Sequence, residues 1–570
     1  MKLLLPLLLL APQDVAPKPN VVIFLADDAG WGDYGHNGNT AVRTPHIDSL
    51  ARDGARFDRF FVCTVCAPTR AELLTGRYHP RGGVRGVSTG QERLDVGEKT
   101  VADAFKAAGY ATGAFGKWHN GSQWPYHPRA RGFDEYYGHT AGHWGEYVDP
   151  PLEHDGRMVR EKGYIVDLCV DKALAFIDRS KAGPFLCYVP FTTPHSPWRA
   201  PDEDWARWKD KPVEQRGAGK EDPNETRCAL AMVENQDRNV GRVLAKLDDL
   251  RLRENTIVLY LSDNGPNAVR WNGGMKGKKG SLDEGGIRSP LLVRWPAKIR
   301  PGTEVREIAG AIDLLPTLTA LAGIPRVGDR PLDGLDLSPL LLGRATEWPD
   351  RLLFSTYGGK VSARSRRHRL DPNGTLFDLV DDPGQTKAVD QPDVAARLAA
   401  AVAAFRKETT LPKDDRPFPV GYREFPITML PARDGEGRGG VKRSSSAPNC
   451  SYFVNWKSTA DAITWDVDVA TDGEYQVSLD YTSADPGSTI ELSLGTSKLS
   501  GKVTPAWDPP LYTNQDNVSR PHGESTMKDF RPLELGTIRL AKGRGLLTLR
   551  ALEVPGASVM DLRRLTLTLK

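Results

Sequence analysis

Several short segments in the first 330 positions are apolar without interruption. Asn20 to Leu25, Tyr110 to Phe115, Phe185 to Val189 and Thr256 to Leu261 carry β-branched, aromatic and small side chains with no polar alternation. That is the pattern of strands buried on both faces of a parallel sheet. Helical spacing predicts helices between them, over about Thr100 to Ala108, Ile165 to Ile177 and Arg227 to Leu250, the last interrupted only by Gly241. Thr44-Pro45 reads as a further helix start. Alternating strands and helices predict an α/β fold, a mixed but mostly parallel sheet sandwiched by helices. An apolar helix over Ile312 to Leu321, short strands between Arg351 and Leu379 and an Ala-rich helix over Val394 to Phe405 then form a small α+β C-terminal subdomain.

The periodicity changes near residue 426. Asp434 to Gly440 and Ser444 to Ser446 read as loop or linker. Beyond them apolar residues alternate with polar ones: Ile463, Trp465, Val467, Val469; Tyr475, Val477, Leu479, Tyr481; Ile490, Leu492, Leu494; Leu547, Leu549, Ala551; Leu565, Leu567, Leu569. Period two broken by turns such as Asp472-Gly473 predicts a separate all-β sandwich. The expected divisions are 1–16, 17–345, 346–425 and 426–570, with no internal repeat.

Composition narrows the partners. The 76 basic and 73 acidic residues leave a net charge of +3, which gives no case for a nucleic-acid or membrane-surface protein. Six cysteines in 570 residues do not make a disulfide scaffold. Met1-Lys2, the apolar run Leu3 to Leu10 and the small residues to Ala16 resemble a short secretory signal peptide. The run is too short to span a bilayer. A periplasmic or secreted protein with no membrane span is expected.

Candidate chemistry collects where the apolar runs stop. Asp27-Asp28, Gly116-Lys117-Trp118-His119, Pro194-His195 and Asp263-Asn264 each follow a predicted strand. Ligands bind beyond the carboxyl ends of strands in open α/β sheets, so four such ends argue for one site. Asp27, Asp28, Asp263 and Asn264 are hard oxygen donors and select Ca²⁺ or Mg²⁺ over zinc. Arg70, Lys117, His119, His195 and Lys279 add cationic or proton-donating groups. A metal ringed by basic residues suits a tetrahedral oxyanion, which implies cleavage of a sulfate or phosphate ester.

Val62 to Arg77 contains Cys66-x-Pro68-x-Arg70 with Thr75-Gly76 following. Pro68 suits a first helical turn and Gly76 a helix end, which sets Cys66 just before a helix N-terminus. Cys63 and Cys66 also form a C-x-x-C, open to a redox or zinc reading, although no second Cys or His pair accompanies it. The Cys-x-Pro-x-Arg…Thr-Gly pattern resembles the signature of the type I sulfatases, of alkaline phosphatase-like fold, with Thr69 where Ser is frequent. Lys279 with Glu284-Gly285-Gly286-x-Arg288 is similar to a second segment of that family, and this distance selects Lys279 over Lys276 and Lys278.

The resemblance, over roughly residues 19 to 415, implies a formylglycine made from Cys66 by a formylglycine-generating enzyme, its hydrate serving as the nucleophile. It implies one Ca²⁺ on Asp27, Asp28, Asp263, Asn264 and residue 66. It further implies that Arg70 holds the formylglycine, Lys117 binds sulfate and His119 helps deprotonate the hydrate. His195 and Lys279 would bind sulfate and protonate the leaving oxygen. The expected activity is hydrolysis of sulfate monoesters, on a sulfated small molecule or glycan. Alternatives are a phosphate or phosphonate monoester hydrolase of the same superfamily and an inactive saccharide-binding protein. His139, His143, Trp144 and Trp198 fall between the motifs as possible subsite residues. The β-module is open to a saccharide-binding or a merely stabilising role.

Overall fold

The computed structural model describes residues 17–215, 221–345, 347–512, 516–518, 520 and 523–570. The expected leader, 1–16, lies outside the described residues. Four strands meet at the centre of the α/β region: β1 (Asn20–Ala26), β2 (Ala111–Lys117), β3 (Phe185–Pro190) and β4 (Thr256–Ser262). β1 lies between β3 and β4, parallel to both, and β2 runs parallel on the far side of β3. Every residue of β1, β3 and β4 is buried, which explains their unbroken apolar runs. The whole sheet has ten strands of mixed direction. Leu291–Arg294 is antiparallel to β4, and Pro151–His154 is antiparallel to Glu135–His139.

Successive residues of β1 enter different cores, as the pleat requires. Val22 and Phe24 pack with Phe176, Met232 and Val240, from helices Ile165–Ser180 and Pro223–Asp249. Val21, Ile23 and Leu25 pack with Leu73, Phe105 and Leu318 on the opposite face. Register aligns the strand ends: Ala26 pairs with Ser262 and Leu25 with Pro190. Asp27-Asp28, Asp263-Asn264 and the Thr192 to His195 turn therefore emerge along one edge. Gly116 permits the close approach of β2 there. Its φ is +140°, and a Cβ would stand 1.9 Å from the Pro190 carbonyl oxygen.

The subdomain that follows is a four-stranded antiparallel sheet, Leu353–Tyr357, Lys360–Arg364, His368–Leu370 and Leu376–Asp378, with helix Pro392–Thr409 against it. Two six-stranded sheets then form the all-β region around Trp456, Trp465, Tyr475 and Leu567. It begins before the linker read from the sequence, since Phe418–Val420 already pairs with Ala462–Val469. The Gly-rich stretch is itself structured: Glu436–Arg438 pairs with Ala462–Val469, and Lys442–Arg443 pairs with Phe453–Val454. Two strands lack the regular period-two signal. Ser497–Lys502 is an edge strand with no fully buried residue. Arg531–Leu540 loses phase at a bulge near Gly536, where the register against Val477 and Ser478 shifts. No helix among the described residues is long and apolar enough to cross a membrane.

Candidate active site

Cys66 heads a helix, α1 (Cys66–Thr75), in which all ten residues are buried. It is the first helical residue, one step further in than the sequence suggested, and the extended Val65 precedes it. Pro68 stands in the first turn, and Gly76, in the left-handed region at φ +68°, ends the helix. Thr69 ties the helix start to β4: its Oγ1 donates to the Asp263 carbonyl at 2.5 Å and accepts from Cys63 N at 2.8 Å. The positive end of α1 therefore faces the aligned strand ends.

Nine of the ten side chains singled out in the sequence join in one contact network. Cys66 Sγ is 3.2 Å from Asp27 Oδ1 and 4.0 Å from Asp28 Oδ1. Lys117 Nζ donates to Asp27 Oδ2 at 2.6 Å. Lys279 Nζ donates to Asp28 Oδ2 at 2.8 Å, and His195 Nε2 stands 3.6 Å from the same oxygen. Arg70 donates through Nε and Nη2 to Asp263 Oδ2 at 3.1 and 2.8 Å, and through Nη1 to the Lys117 carbonyl at 2.7 Å. Asn264 Nδ2 donates to Asp28 Oδ1 at 2.8 Å, while its Oδ1 is buried without a hydrogen-bond partner among the described residues. His119 flanks this network. Its Nε2 bonds the Val87 carbonyl at 2.8 Å, and its Nδ1 is buried with no partner among the described residues. Lys276 and Lys278 face Asp283 and Glu221 instead, so of these three neighbouring lysines it is Lys279 that reaches the cleft.

Burial and charge set the protonation states. Burial pushes the Cys66 thiol well up, and Asp263 and Asp27 push it further, so it remains a thiol. Burial and then Asp27 raise the Asp263 carboxyl to about 6. Asp28 is also penalised by burial, but His195, Lys279 and Lys117 outweigh that and hold it well below the carboxylate range. Burial works against charge on Lys279, and Asp28 reverses it, so Lys279 stays an ammonium. Burial, with Lys117, drives His119 far down, and burial lowers His195 to about 4 against the pull of Asp28.

Two supports were not visible in the sequence. Asp28 and His119 both have left-handed backbones, at φ +67° and +65°. Arg270 Nη2 holds the Asp28 carbonyl at 2.7 Å and pairs with Asp33, whose carboxylate accepts from Gly30 N at 2.7 Å. The all-β region also reaches this edge. Cys450 Sγ is 2.7 Å from the His143 carbonyl, Arg563 pairs with Glu146 at 2.9 and 3.1 Å, and Ser196 Oγ donates to Glu524. Of the subsite candidates, His143 stacks on His195 with ring centroids 5.6 Å apart, and Trp144 stacks on His139. Trp198 is a core residue.

Residues 19–324 match the sequence model of the Sulfatase family, and residues 277–404 match that of the N-sulphoglucosamine sulphohydrolase C-terminal region. The chain belongs to the sulfatase family. It is 33% identical to the N-acetylgalactosamine-6-sulfatase of Canis lupus familiaris over 62% of this chain and 70% of that protein. It is 35% identical to the arylsulfatase A of Homo sapiens over 61% and 72% of the respective lengths. The crystal structure of Ps i-CgsB in complex with k-i-k-neocarrahexaose superposes with a TM-score of 0.63 at 30% identity, covering 69% of this chain and 93% of that one. The chain is thus a sulfuric ester hydrolase that cleaves sulfate monoesters, on the alkaline phosphatase-like fold. Neither family match extends past residue 404, so this sulfatase carries its all-β region outside both matches.

Proposed function

We propose that the cleft hydrolyses sulfate monoesters of a saccharide at a formylglycine made from Cys66, with one Ca²⁺ bound by Asp27, Asp28, Asp263, Asn264 and residue 66. The observation that carries this reading is the setting of Cys66: it heads α1 with Sγ 3.2 Å from Asp27 Oδ1, between carboxylates that hold Lys117 and Lys279. A buried thiol kept protonated is a poor nucleophile, which favours conversion of this residue. Formylglycine supplies a hydrated aldehyde whose hydroxyl can attack sulfur, and Ca²⁺ supplies Lewis acidity that favours its ionisation.

The donor set suits a hard cation. Three carboxylates crowd together, burial and then the charge of Asp27 raise Asp263, and the Asn264 Oδ1 acceptor is partnerless among the described residues. In this reading Arg70, fixed by Asp263 and the Lys117 carbonyl, holds the side chain at position 66. Lys117 binds the sulfate. His119 donates through Nε2–H to Val87, so its Nδ1 lone pair can take a proton from the nucleophile. Lys279, an ammonium, and His195 bind sulfate and protonate the leaving oxygen. Burial keeps His195 neutral, and an entering sulfate anion raises its affinity for a proton.

The apolar run Leu3 to Leu10 with its small-residue flank supports an exported protein, periplasmic or secreted, and the reading requires a formylglycine-generating enzyme to mature residue 66. The test pairs peptide mass analysis of residue 66 with turnover of 4-nitrophenyl sulfate, 4-nitrophenyl phosphate and a phenylphosphonate monoester. A converted residue 66 and a clear preference for the sulfate are expected. An unmodified cysteine in active enzyme defeats the nucleophile assignment, and preference for phosphate or phosphonate defeats the substrate assignment.

A further inference from the structure

A pocket of about 540 Å³ opens between the loop that carries Lys279 and the small C-terminal subdomain. One wall is the 276–283 loop, and the rest comes from the hairpin tip at Tyr357 and Lys360 and from the 371–373 turn. The loop joins this pocket to the cleft. Gly280 lines the pocket directly after Lys279, whose Nζ reaches Asp28 Oδ2 at 2.8 Å. Gly280 N also donates to the carbonyl of Thr64, two residues before Cys66, at 2.8 Å. One lysine side chain thus spans from the pocket wall to Asp28. A Cβ added at Gly280 or Gly358 would meet no atom within 4 Å, so both walls border open space.

The hairpin sets two binding groups side by side. Gly358 and Gly359 have left-handed backbones, at φ +55° and +76°, which gives the two-residue turn that keeps Tyr357 opposite Lys360. Directly paired residues of an antiparallel ladder project from the same face. The Tyr357 ring is 40% exposed, and Lys360 is exposed and enters no ion pair among the described residues. The acids of the pocket are already engaged. Asp371 Oδ1 accepts from Asn373 N and Thr375 N at 2.8 Å each, and Asp283 accepts from Ser281 Oγ at 2.9 Å and Gln385 Nε2 at 2.8 Å. A ligand therefore meets an aromatic face with an ammonium beside it, and Lys276 adds a second cation across the pocket. An inorganic anion would leave the ring unused, and a neutral sugar would leave Lys360 unused. A pyranose that carries an anion satisfies both, its C–H face on the ring and its charge on the lysine. The volume lies in the range of small-ligand sites.

Resting on the sulfatase reading of the cleft, we infer that this pocket is a second saccharide subsite, which takes a sulfated or carboxylated sugar unit of the same chain whose sulfate ester enters the cleft. The substrate is then a polyanionic oligo- or polysaccharide, and Tyr357 and Lys360 are specificity-determining residues.

The test first measures binding without turnover, by titrating labelled hexasaccharides into Cys66→Ala and into the same protein with Tyr357→Ala or Lys360→Glu added. The probes come from κ-carrageenan, whose anions are all sulfates, from hyaluronan, whose anions are all carboxylates, and from chondroitin 6-sulfate, which has both. Each added substitution is expected to weaken binding of at least one probe roughly 10-fold in dilute salt, and the Lys360→Glu loss should shrink as salt rises. Loss on κ-carrageenan assigns the anion to sulfate, and loss on hyaluronan assigns it to a carboxylate. In the otherwise native enzyme the same two substitutions should leave kcat/KM for 4-nitrophenyl sulfate within about twofold. The inference is overturned if either substitution leaves all three probes unaffected, if Cys66→Ala binds none of them, or if either variant fails to fold. It is also overturned if aryl sulfate turnover falls as far as saccharide binding, because the hairpin would then act by holding the Lys279 loop. In each of these cases aryl sulfate hydrolysis by the native enzyme leaves the sulfatase reading standing. A native protein with residue 66 converted that hydrolyses no sulfate ester removes that reading, and this inference with it.

Discussion

The central α/β sheet and the β-sandwich spend their strands differently. β1, β3 and β4 are buried on both faces, so they offer no place for chemistry along their length, and their polar residues stand just past their ends. In the sandwich, Ala462–Val469 and Asp561–Leu569 largely alternate, with Ile463, Trp465, Val467, Leu565 and Leu567 turned into the core. What the sandwich brings to the cleft comes chiefly from its connections, at Asn449, Cys450 and Glu524, together with Arg563 on a strand. A doubly buried sheet concentrates function at one edge, whereas a sandwich can lend a partner domain its loops while its sheets supply stability.

Perturbing each region separately tests that division. The largest effect is expected from Cys66→Ala, which should lower kcat roughly 10³-fold or more while the melting temperature moves little. Comparable losses in both would mean that α1 serves mainly as core. Chelation with EGTA should lower turnover by about 10²-fold, with recovery on adding Ca²⁺; activity indifferent to chelation would remove the ion from the cleft. In the sandwich, Trp465→Ala should cost about 3–5 kcal/mol by denaturant unfolding, with kcat per folded molecule nearly unchanged. Arg563→Met leaves the Glu146 carboxylate buried and unpaired, and should cost about 3 kcal/mol. Because that pair joins the regions, it should also raise KM, and a purely local loss would uncouple them. Least affected should be Leu546→Ser on the exposed face, within about 0.5 kcal/mol and without kinetic consequence.

How much was legible follows the same line. The apolar runs gave the four central strands to within a residue or two, because burial on both faces leaves a contiguous signal. Asp27, Asp263, Lys117 and His195 were readable as strand-end residues for the same reason. Arg270 was not: its partners Asp28 and Asp33 lie more than 230 positions away, and no local spacing announces an ion pair of that span. Glu524 lies between Lys502 and Arg531, a connection with no period of two or 3.6 to read. Arg531–Leu540 was obscured by its bulge, which moves Leu533 and Ile538 out of a common alternation while both stay buried.

The pairing of Glu146 with Arg563 bears on the order in which the molecule is assembled. The two residues are separated by 417 positions, and the strand holding Arg563 lies inside its sheet rather than at its margin. A ribosome delivers the carboxylates of the cleft and α1 long before it delivers this fastening. Until then, the 139–147 loop lacks the Glu146–Arg563 tie that fastens it to the sandwich sheet. The rim of the cleft is therefore the last part of the working enzyme to be put in place, and a nascent chain halted before residue 561 would carry the reactive groups without their finished surround.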